Sequence, residues 1–431
     1  MVLRAMQSGV SGLRAEAEAL GVVGDNIANV NTVGFKGQRA VFEDVLGRSV
    51  LAGTAAALPG SGVRVGDIQQ LFTQGSLSNT GVSTDLALNG DGFFTVKGAV
   101  DGVVGNFYTR AGQFVIDDEG FLVNPSGLQV QGYAANPDGT FQASMSSIKA
   151  PTSALPAHAT EAGSIVANLD ASEDIPALPF DETDPANTSN FSTSMTVYDS
   201  LGTAHTLDVY FNKTATNEWE YHAVVAGDDL DPADPGVNHE VGTGTLSFNT
   251  DGALQTITGG GTVTVDWMGA TAGQEITLNL GTAIDDAGTG LDGITQFSSP
   301  ENVSSQSQDG YTSGDFSGVT VDGQGVVMGL YTNGEQLAIA QLGVAKFRSN
   351  DGLGRAGQNL WIETRESGEA AMGHAGTGGR GAVSAGTLEG SNVDLAEEFV
   401  GLIQHQRSFS ANSKTITTAD EMLQELINIK R

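Results

Sequence analysis

The chain of 431 residues is long enough for two to four domains with sizeable cores. It contains no cysteine, which excludes a thiol nucleophile, a disulfide scaffold and a cysteine-ligated metal. Its 51 acidic and 19 basic residues give a formal net charge of −32, which argues against nucleic-acid binding because phosphates require basic clusters. If copies of the chain associate, their contacts have to rest on apolar surface, since like charges repel.

The first segment has the pattern of a coiled-coil helix. Its apolar residues recur at alternating steps of three and four, and the small Ala17 and Gly24 belong to the same series. Turn formers between Asn26 and Gly34 predict where the helix ends. The large residues of this predicted seam are Leu3, Met6, Val10, Leu13, Leu20 and Ile27.

The N-terminus shows no continuous apolar core of a cleavable secretory signal, and no run in the sequence is long enough to cross a membrane. We therefore expect a chain that is cytosolic or that leaves the cell by a route reading an uncleaved end.

The middle of the chain predicts short strands joined by tight turns. Its 59 glycines are about double the usual frequency of roughly 7%, and threonine and valine are abundant. Leu86–Val96 indicates two strands around a Gly-Asp-Gly turn. Proline and acidic residues increase between 150 and 190, which predicts a crossing between domains, and a return crossing is expected near Pro300.

The last segment repeats the helical pattern of the first. Asp394 is a candidate N-cap, and Glu397 follows it by three residues, as in a capping box. A helix from Leu395 to Lys430 would be roughly 54 Å long. The polar residues Gln406, Ser413 and Asp420 interrupt the seam as layers. The large seam residues are Leu395, Phe399, Leu402, Phe409, Ile416, Leu423 and Ile427.

These patterns predict an α+β fold that is mostly β, with N- and C-terminal helices pairing as a coiled coil and nested β-rich domains between them. The expected parts are a helical polymerisation core (1–35 with 390–431), an extended, glycine-rich connector (36–75 with 372–389), an outer β domain (76–149 with 306–371) and an inserted β domain (150–305).

The two end helices look marginal as an isolated pair. Burying their seam contributes about 2 kcal/mol per large side chain, whereas ordering the backbone costs roughly 1–2 kcal/mol for every residue. We therefore expect the ends to be largely disordered in a free monomer and to become ordered when several copies pack together.

No motif of the chain predicts catalysis, a cofactor or a bound metal. Gly376–Gly381 matches a dinucleotide fingerprint by letter, but no strand-helix unit surrounds it, so a flexible linker is expected. Acidic turns such as Asp228–Asp231 lack the spacing of a calcium loop. Paired carboxylates for glycoside hydrolysis stay open, since any fold can bring two acids together.

Several motifs resemble those of the bacterial flagellar rod and hook proteins, a family of axial proteins. They lie at Ser8–Leu13, in the turn after the first helix, around Thr84–Phe94 and Tyr108–Gly112, and at the start of the last helix. The motif residues nearest the two helices are Asn26, Asn29, Asn31, Thr32, Gly34, Phe35, Lys36, Ser391, Asn392, Val393 and Asp394.

Within that family, two features favour a hook-type subunit. Val197–Gly202 resembles a motif of the inserted β domain of hook subunits, and distal rod subunits are much shorter than this chain. A distal rod subunit is the alternative, and a β-rich surface adhesin or surface enzyme is a more distant one.

The resemblance implies a structural protein and not an enzyme. It implies export of the unfolded chain through the flagellar type III apparatus without cleavage, and polymerisation with itself beneath a hook cap protein. The polymer would be a curved tubular universal joint outside the cell. It would connect to the distal rod protein on one side and to hook-filament junction proteins on the other, with neither nucleic acid nor membrane insertion involved.

Overall fold

The computed structural model describes residues 2–45, 62–136, 138–259 and 261–429. They form two compact units: Met1–Thr152 with Gly318–Leu330 and Gln336–Arg431, and Ser153–Ser317 with Tyr331–Glu335. The predicted class, mostly β with a helix at each end, is confirmed. The four-part division made from the sequence is finer than these units and stays a prediction, and residues 46–61 of its connector lie outside the described residues.

The elements follow one another in three stretches of chain. The first contains α1 (Val2–Ala28), β1 (Gln38–Asp44), β2 (Val63–Gln70), β3 (Leu77–Asn79), β4 (Leu86–Asn89), β5 (Phe93–Val100), β6 (Val103–Thr109), β7 (Val115–Ile116), β8 (Leu122–Val123), β9 (Gln129–Ala135) and β10 (Phe141–Ser147). The second contains β11 (Ala162–Asp170), α2 (Pro185–Thr188), β12 (Phe191–Tyr198), β13 (Ala204–Ala215), β14 (Glu218–Ala226), β15 (Asn238–Phe248), β16 (Leu254–Thr258), β17 (Thr262–Val265), β18 (Gln274–Asn279), β19 (Thr295–Phe297) and β20 (Asn302–Gln308). The third contains β21 (Phe316–Val321), β22 (Val326–Tyr331), β23 (Gln336–Lys346), β24 (Gly354–Gly357), β25 (Leu360–Ile362), β26 (Ala371–His374), β27 (Ala382–Ala385), β28 (Thr387–Glu389) and α3 (Leu395–Ile429).

The first unit is built on a large sheet with the strand order β21-β22-β23-β9-β5-β6-β25-β24. The long β23 pairs with strands that come before and after the second unit in the chain, so the sheet of the first unit is built from both stretches. An aromatic cluster fills its core, where the rings of Tyr108 and Phe347 meet edge to face at 4.8 Å beside Phe93 and Trp361.

The two strands predicted around the Gly-Asp-Gly turn of Leu86–Val96 are present as β4 and β5, but they do not pair with each other. Strand β4 pairs with β27, whereas β5 pairs with β6, β9 and β23. The turn instead carries the chain from one sheet to another, with Gly90 and Gly92 at φ values of 114° and 126° that L side chains rarely adopt.

The prediction of a flexible linker at Gly376–Gly381 is wrong. Strands β26, β27 and β28 flank it and pair with β23, β4 and β3, and the linker itself is the turn between β26 and β27. Arg380 fixes that turn, because its guanidinium donates from Nη2 to Met372 O at 2.8 Å and from Nε to Val344 O at 3.1 Å. Glycine supplied the turn geometry here and not mobility.

The second unit is a sandwich of two sheets around one core. An antiparallel meander, β12-β13-β14-β15-β16, packs on a mixed sheet in which β11 lies between β18, β19 and β20. Trp219, Trp267 and Phe211 are fully buried between the sheets. The predicted crossing at 150–190 therefore contains a central strand, β11, whose alternating buried residues are Ile165, Ala167 and Leu169.

The Val197–Gly202 motif forms the turn between β12 and β13. Asp199 Oδ1 accepts hydrogen bonds from the backbone N–H groups of Leu201 and Thr203, both at 2.8 Å. Gly202 follows at φ 83°, so an acid and a glycine at these two positions define the hairpin register.

Candidate functional site

The two end helices pack side by side in antiparallel fashion. Asn26 near the end of α1 binds Glu398 near the start of α3, and further along Gly9 lies against Ile416. Asp394 caps α3, since its Oδ1 accepts from Ala396 N at 2.8 Å. The predicted pairing of the terminal helices is thus present within a single chain. Neither helix is long and apolar enough to span a membrane over its described residues.

Small residues of α1 form the contact with α3. Gly9, Gly12, Ala15 and Ala19 are buried along one face. A Cβ atom on Gly12 would lie only 2.6 Å from Asn412 Nδ2, and one on Gly9 would lie 2.9 Å from Ile416 Cγ1. The absence of side chains at these glycines is what allows the two helices to approach so closely.

The large residues of the predicted seam lie mostly beside this contact. In α1, Met6, Val10, Leu13, Leu20 and Ile27 are only half-buried. In α3, Leu402, Ile416 and Leu423 are half-buried, with Ile416 against Gly9 of α1, whereas Leu395, Phe399 and Phe409 are exposed. The side chains of Leu3 and Ile427 lie outside the described residues. A role of these positions in polymerisation stays a prediction.

An apolar row is left open on the outer side of α3. Leu395, Phe399 and Ile403 follow one another at four-residue steps and are 40%, 52% and 48% exposed. We call these three residues the α3 ridge. Since a single chain leaves them in water, they are the part of the helix pair most in need of another surface.

Enlarging Gly12 is expected to separate the helix pair. Gly12→Leu inserts a side chain where even a Cβ meets Asn412, and overpacking of this kind costs about 1–3 kcal/mol. Gly21→Leu is the matched control, because nothing lies within 4 Å of a Cβ there and leucine is the better helix former. Thermal loss of the 222-nm circular dichroism signal measures both. Equal melting of the two variants would show that the glycine contact is unimportant.

Two side-chain amides, the buried Asn26 and the half-buried Asn392, tie the loop after α1 to the start of α3. Asn26 Oδ1 accepts from Gln38 N at 2.9 Å, and its Nδ2 donates to Gln38 O at 2.7 Å and to Glu398 Oε1 at 2.8 Å. Asn392 acts in the same way on the other side, accepting from Gly37 N at 2.7 Å and donating to Leu71 O at 2.7 Å. Each amide uses donor and acceptor together, which an apolar or acidic residue could not do.

The remaining motif residues lie in the same region, where the loop after α1 meets the segment before α3. We call this region the junction. Asn29 Nδ2 donates to Asp25 O at 2.9 Å, and Thr32 Oγ1 donates to Asn29 Oδ1 at 3.1 Å, which closes the end of α1. Gly34 sits at φ 69° with space for no side chain, since a Cβ would lie 2.5 Å from Ala111 N. Phe35 is buried and Asn31 is exposed. Before α3, Ser391 Oγ accepts a hydrogen bond from Val393 N, and the side chain of Val393 faces Gly37.

A buried ion cluster lies at the centre of this junction. Glu389 binds Lys36 Nζ through Oε1 at 2.6 Å and Arg110 Nη1 through Oε2 at 3.1 Å, and the three side chains are 0%, 1% and 6% exposed. Backbone groups complete the cluster, because Lys36 donates to Thr73 O and Gly75 N donates to Glu389 Oε1. One carboxylate therefore joins the loop after α1, the strand region of the first unit and the segment before α3.

Burial lowers the pKa of Lys36 from its usual value. The ion pair with Glu389 opposes this shift, and the charge of Arg110 adds to it. The cluster holds two cations and one anion, so Glu389 is the one group whose loss would leave like charges buried together.

A glutamate at the helix contact makes the pairing depend on pH, with the pair more stable in acid. Burial raises the pKa of Glu398 above 4.5, with Asn26 opposing the shift and the neighbouring Glu397 adding to it. Because the folded state holds this proton more tightly than the unfolded one, Glu398 stabilises the pair below 4.5 and loses that contribution as pH rises through its folded pKa.

Glu398→Gln is therefore expected to stabilise the helix pair at pH 7 and to leave it unchanged near pH 4. The gain should stay below about 1 kcal/mol, since the carboxyl is only half-buried. The amide oxygen of the glutamine keeps an acceptor for Asn26. Helix melting at the two pH values checks this, and an equal change at both would refute the assignment.

Some residues of the junction were missed by the sequence analysis. Glu389 drew no attention, because its partner Lys36 is hundreds of positions away and lone glutamates are usually solvated. His405 was missed as well, although its Nδ1 lies 2.7 Å from Glu16 Oε2 across the helix pair. Gly9 and Gly12 were a usable signal, since glycine inside a helix costs stability and is expected where another backbone approaches closely.

Four family descriptions match successive parts of the chain. Residues 6–36 match "Flagella basal body rod protein", 87–167 match "Flagellar hook protein FlgE/F/G D1 domain", 168–311 match "Flagellar basal body protein FlaE D2 domain" and 384–429 match "Flagellar basal body rod FlgEFG protein C-terminal". The matches at the two ends cover the helix pair and its junction.

Full-length relatives extend this likeness over the whole chain. The flagellar hook protein FlgE of Salmonella typhimurium is 38% identical over 425 residues, which is 98% of each chain. That of Escherichia coli strain K12 is 37% identical and covers 99% of this chain and 100% of the relative. The crystal structure of Helicobacter pylori flagellar hook protein FlgE2 shares the fold, with a TM-score of 0.50 at 15% identity over 71% of this chain and 98% of that one.

The paired end helices, the junction motifs and the nested β units define an axial protein of the bacterial flagellum. At this identity over nearly the full length, the chain belongs to the flagellar hook protein FlgE family. It is a structural subunit of the flagellar hook, and the alternatives of a distal rod subunit or an adhesin are not favoured.

Proposed function

We propose that the chain acts without catalysis, as a building block that polymerises with itself through its end helices into a curved tube. The observation that carries this is the α3 ridge, an apolar row that one chain leaves exposed although its total charge of −32 opposes association. In this proposal α1 and α3 form the inner wall of the tube, and the β units form its outer layers. The thirteen seam residues, from Leu3 to Ile427, act as its polymerisation core.

The same proposal assigns the partners and the route. The chain leaves the cell unfolded through the type III export apparatus, with its N-terminus read and not cleaved, and adds to the tube beneath a hook cap protein. The tube joins the distal rod protein at its base and hook-filament junction proteins at its tip. Support comes from the family alone, since these partners follow from where a hook sits in the flagellum.

Electron microscopy of the concentrated full chain tests the proposal. Curved tubes are the expected result. Straight tubes would match a rod subunit, and a chain that stays monomeric under all assembly conditions would contradict a polymerising subunit.

We further propose that the second unit adjusts curvature and does not drive assembly. A joint has to be stiff in twist and compliant in bending, and β units joined to the tube only by short chain crossings can slide on their neighbours through weak polar contacts. Removing residues 153–317 should then leave tubes that form but differ in curvature under the microscope. Loss of all polymer in this variant would refute the proposal that the second unit does not drive assembly.

A further inference from the structure

The negative charge of the chain lies mostly in its second unit, Ser153–Ser317 with Tyr331–Glu335. This unit contains 26 acidic residues and a single lysine or arginine, Lys213, which gives a formal charge of −25 out of the total of −32. The larger first unit has 25 acidic and 18 basic residues and therefore carries only −7. An even distribution would serve solubility equally well, so the uneven one points to a role of the second unit.

The acidic side chains of the second unit face water. Among these acids, all of which the structure describes, Asp199 alone is buried, and the others are exposed or half-buried. Acids that follow different strands, such as Asp174, Asp251 and Asp286, are exposed. The charge therefore lies on the surface of the unit, where a neighbouring molecule meets it.

Lys213 does not offset this surface charge. Its side chain is buried, and its Nζ donates to Ala171 O and Glu173 O, both at 2.7 Å. In the described residues of this unit the ion pairs use histidine as the cation, as between His222 Nδ1 and Glu240 Oε1 at 2.8 Å. The unit therefore offers neither lysine nor arginine to the acids of another copy.

Two second units repel each other when they come close. The repulsion grows with the product of the two charges, so at equal distance it is about 13-fold stronger between two second units than between two first units. Dissolved salt weakens it, because the Debye length falls from about 30 Å at 0.01 M to about 8 Å at 0.15 M ionic strength.

Building on the proposed polymerisation, we infer that the second unit is an electrostatic spacer between neighbouring copies in the tube. Repulsion keeps the second units apart, and cations from solution have to enter between them before the tube can pack closely. The first unit includes the helix pair and carries little net charge, so it supplies the attraction. Assembly therefore responds to ionic strength, and the second unit determines that response.

Sedimentation of the full-length polymer over a salt series tests the inference. Raising sodium chloride from about 20 mM to about 300 mM should lower the protein concentration needed for assembly of the unaltered chain roughly tenfold, because screening removes the repulsion.

A second-unit variant changes the charge at its source. Four exposed acids of this unit become lysines, which changes its charge from −25 to −17 and reduces the repulsion between two second units to about half. Over the same salt range its assembly concentration should change less than about threefold. The four substitutions are Asp174→Lys, Glu218→Lys, Glu275→Lys and Asp286→Lys.

The matched control makes the same change of charge in the first unit. Its four substitutions, also at exposed acids, are Asp118→Lys, Glu119→Lys, Glu366→Lys and Glu369→Lys. Both variants have a total charge of −24, and circular dichroism verifies that both are folded. The control should keep the roughly tenfold salt response of the unaltered chain.

Equal salt responses of the two variants would overturn the inference, because total charge and not its location would then govern assembly. An unaltered chain that assembles equally well at low and high salt would also overturn it. An unaltered chain that forms no tubes at any salt concentration would refute the proposed polymerisation, and the inference with it.

Discussion

Replacing Glu389 with glutamine is expected to destabilise the first unit by about 3–5 kcal/mol. The carboxylate neutralises Lys36 and Arg110 in a cluster from which water is excluded. A glutamine keeps the shape but leaves two buried cations facing each other without an anion. Removing one partner of a buried ion pair is costly for this reason, even where the intact pair contributes little.

Hydrogen exchange of the full-length monomer measures the effect separately in each unit. Amides of β5 and β23 in the first unit should exchange roughly two to four orders of magnitude faster than in the unaltered chain, while those of β13 and β14 should not change. Glu43→Gln is the matched control, because its pair with Arg64 is solvent-exposed and should contribute less than about 1 kcal/mol. Equal behaviour of the two variants would show that the cluster does not hold the junction together.

Loss of the α3 ridge is expected to abolish assembly at ordinary concentrations while leaving the monomer folded. Phe399 and Ile403 are about half exposed in one chain, so Phe399→Ser with Ile403→Ser removes little from the monomer. Each side chain buries its remaining half in a polymer. Burial of these exposed parts contributes about 2–3 kcal/mol per subunit to the free energy of assembly. Its loss should raise the protein concentration needed for assembly roughly 30- to 140-fold.

Sedimentation of polymer across a concentration series gives this value. Phe399→Leu is the control, since it keeps an apolar side chain at the same place and should assemble almost normally. If the double serine variant polymerised as well as the unaltered chain, the ridge would have no role in contacts between copies.

Local patterns in the sequence predicted the ends of the chain well. Heptad spacing placed both helices, and Asn26–Gly34 and Asp394 marked where α1 stops and α3 starts. These features depend on residues within a few positions of one another, which is where hydrogen bonds of caps and turns are made.

The periodicity of apolar residues could not show which face of each helix packs against the other helix of the same chain. The sequence favoured the large seam residues, but α3 packs on Gly9 and Gly12, where the backbones can approach, and leaves Phe399 outside. A helix that serves both one chain and a polymer has two apolar faces, and spacing alone does not distinguish them.

Contacts between residues far apart in the sequence were the other feature that the sequence could not predict. The sequence indicated two strands around the turn at Gly90–Gly92 but not their partners, β27 and β23, which lie far along the chain and place the two strands in different sheets. The contact of Lys36 with Glu389 is of the same kind. Neither partner carries a local signal of the other, so only the folded chain brings them together.

The central claim is that the apolar faces of the end helices are covered by neighbouring copies in the assembled tube. A helical reconstruction of the polymer tests it most directly. We predict that α1 and α3 line the inner wall and that Leu395, Phe399 and Ile403 lie against another copy. A tube in which these three side chains face solvent, with the subunits held together by their β units alone, would contradict the account.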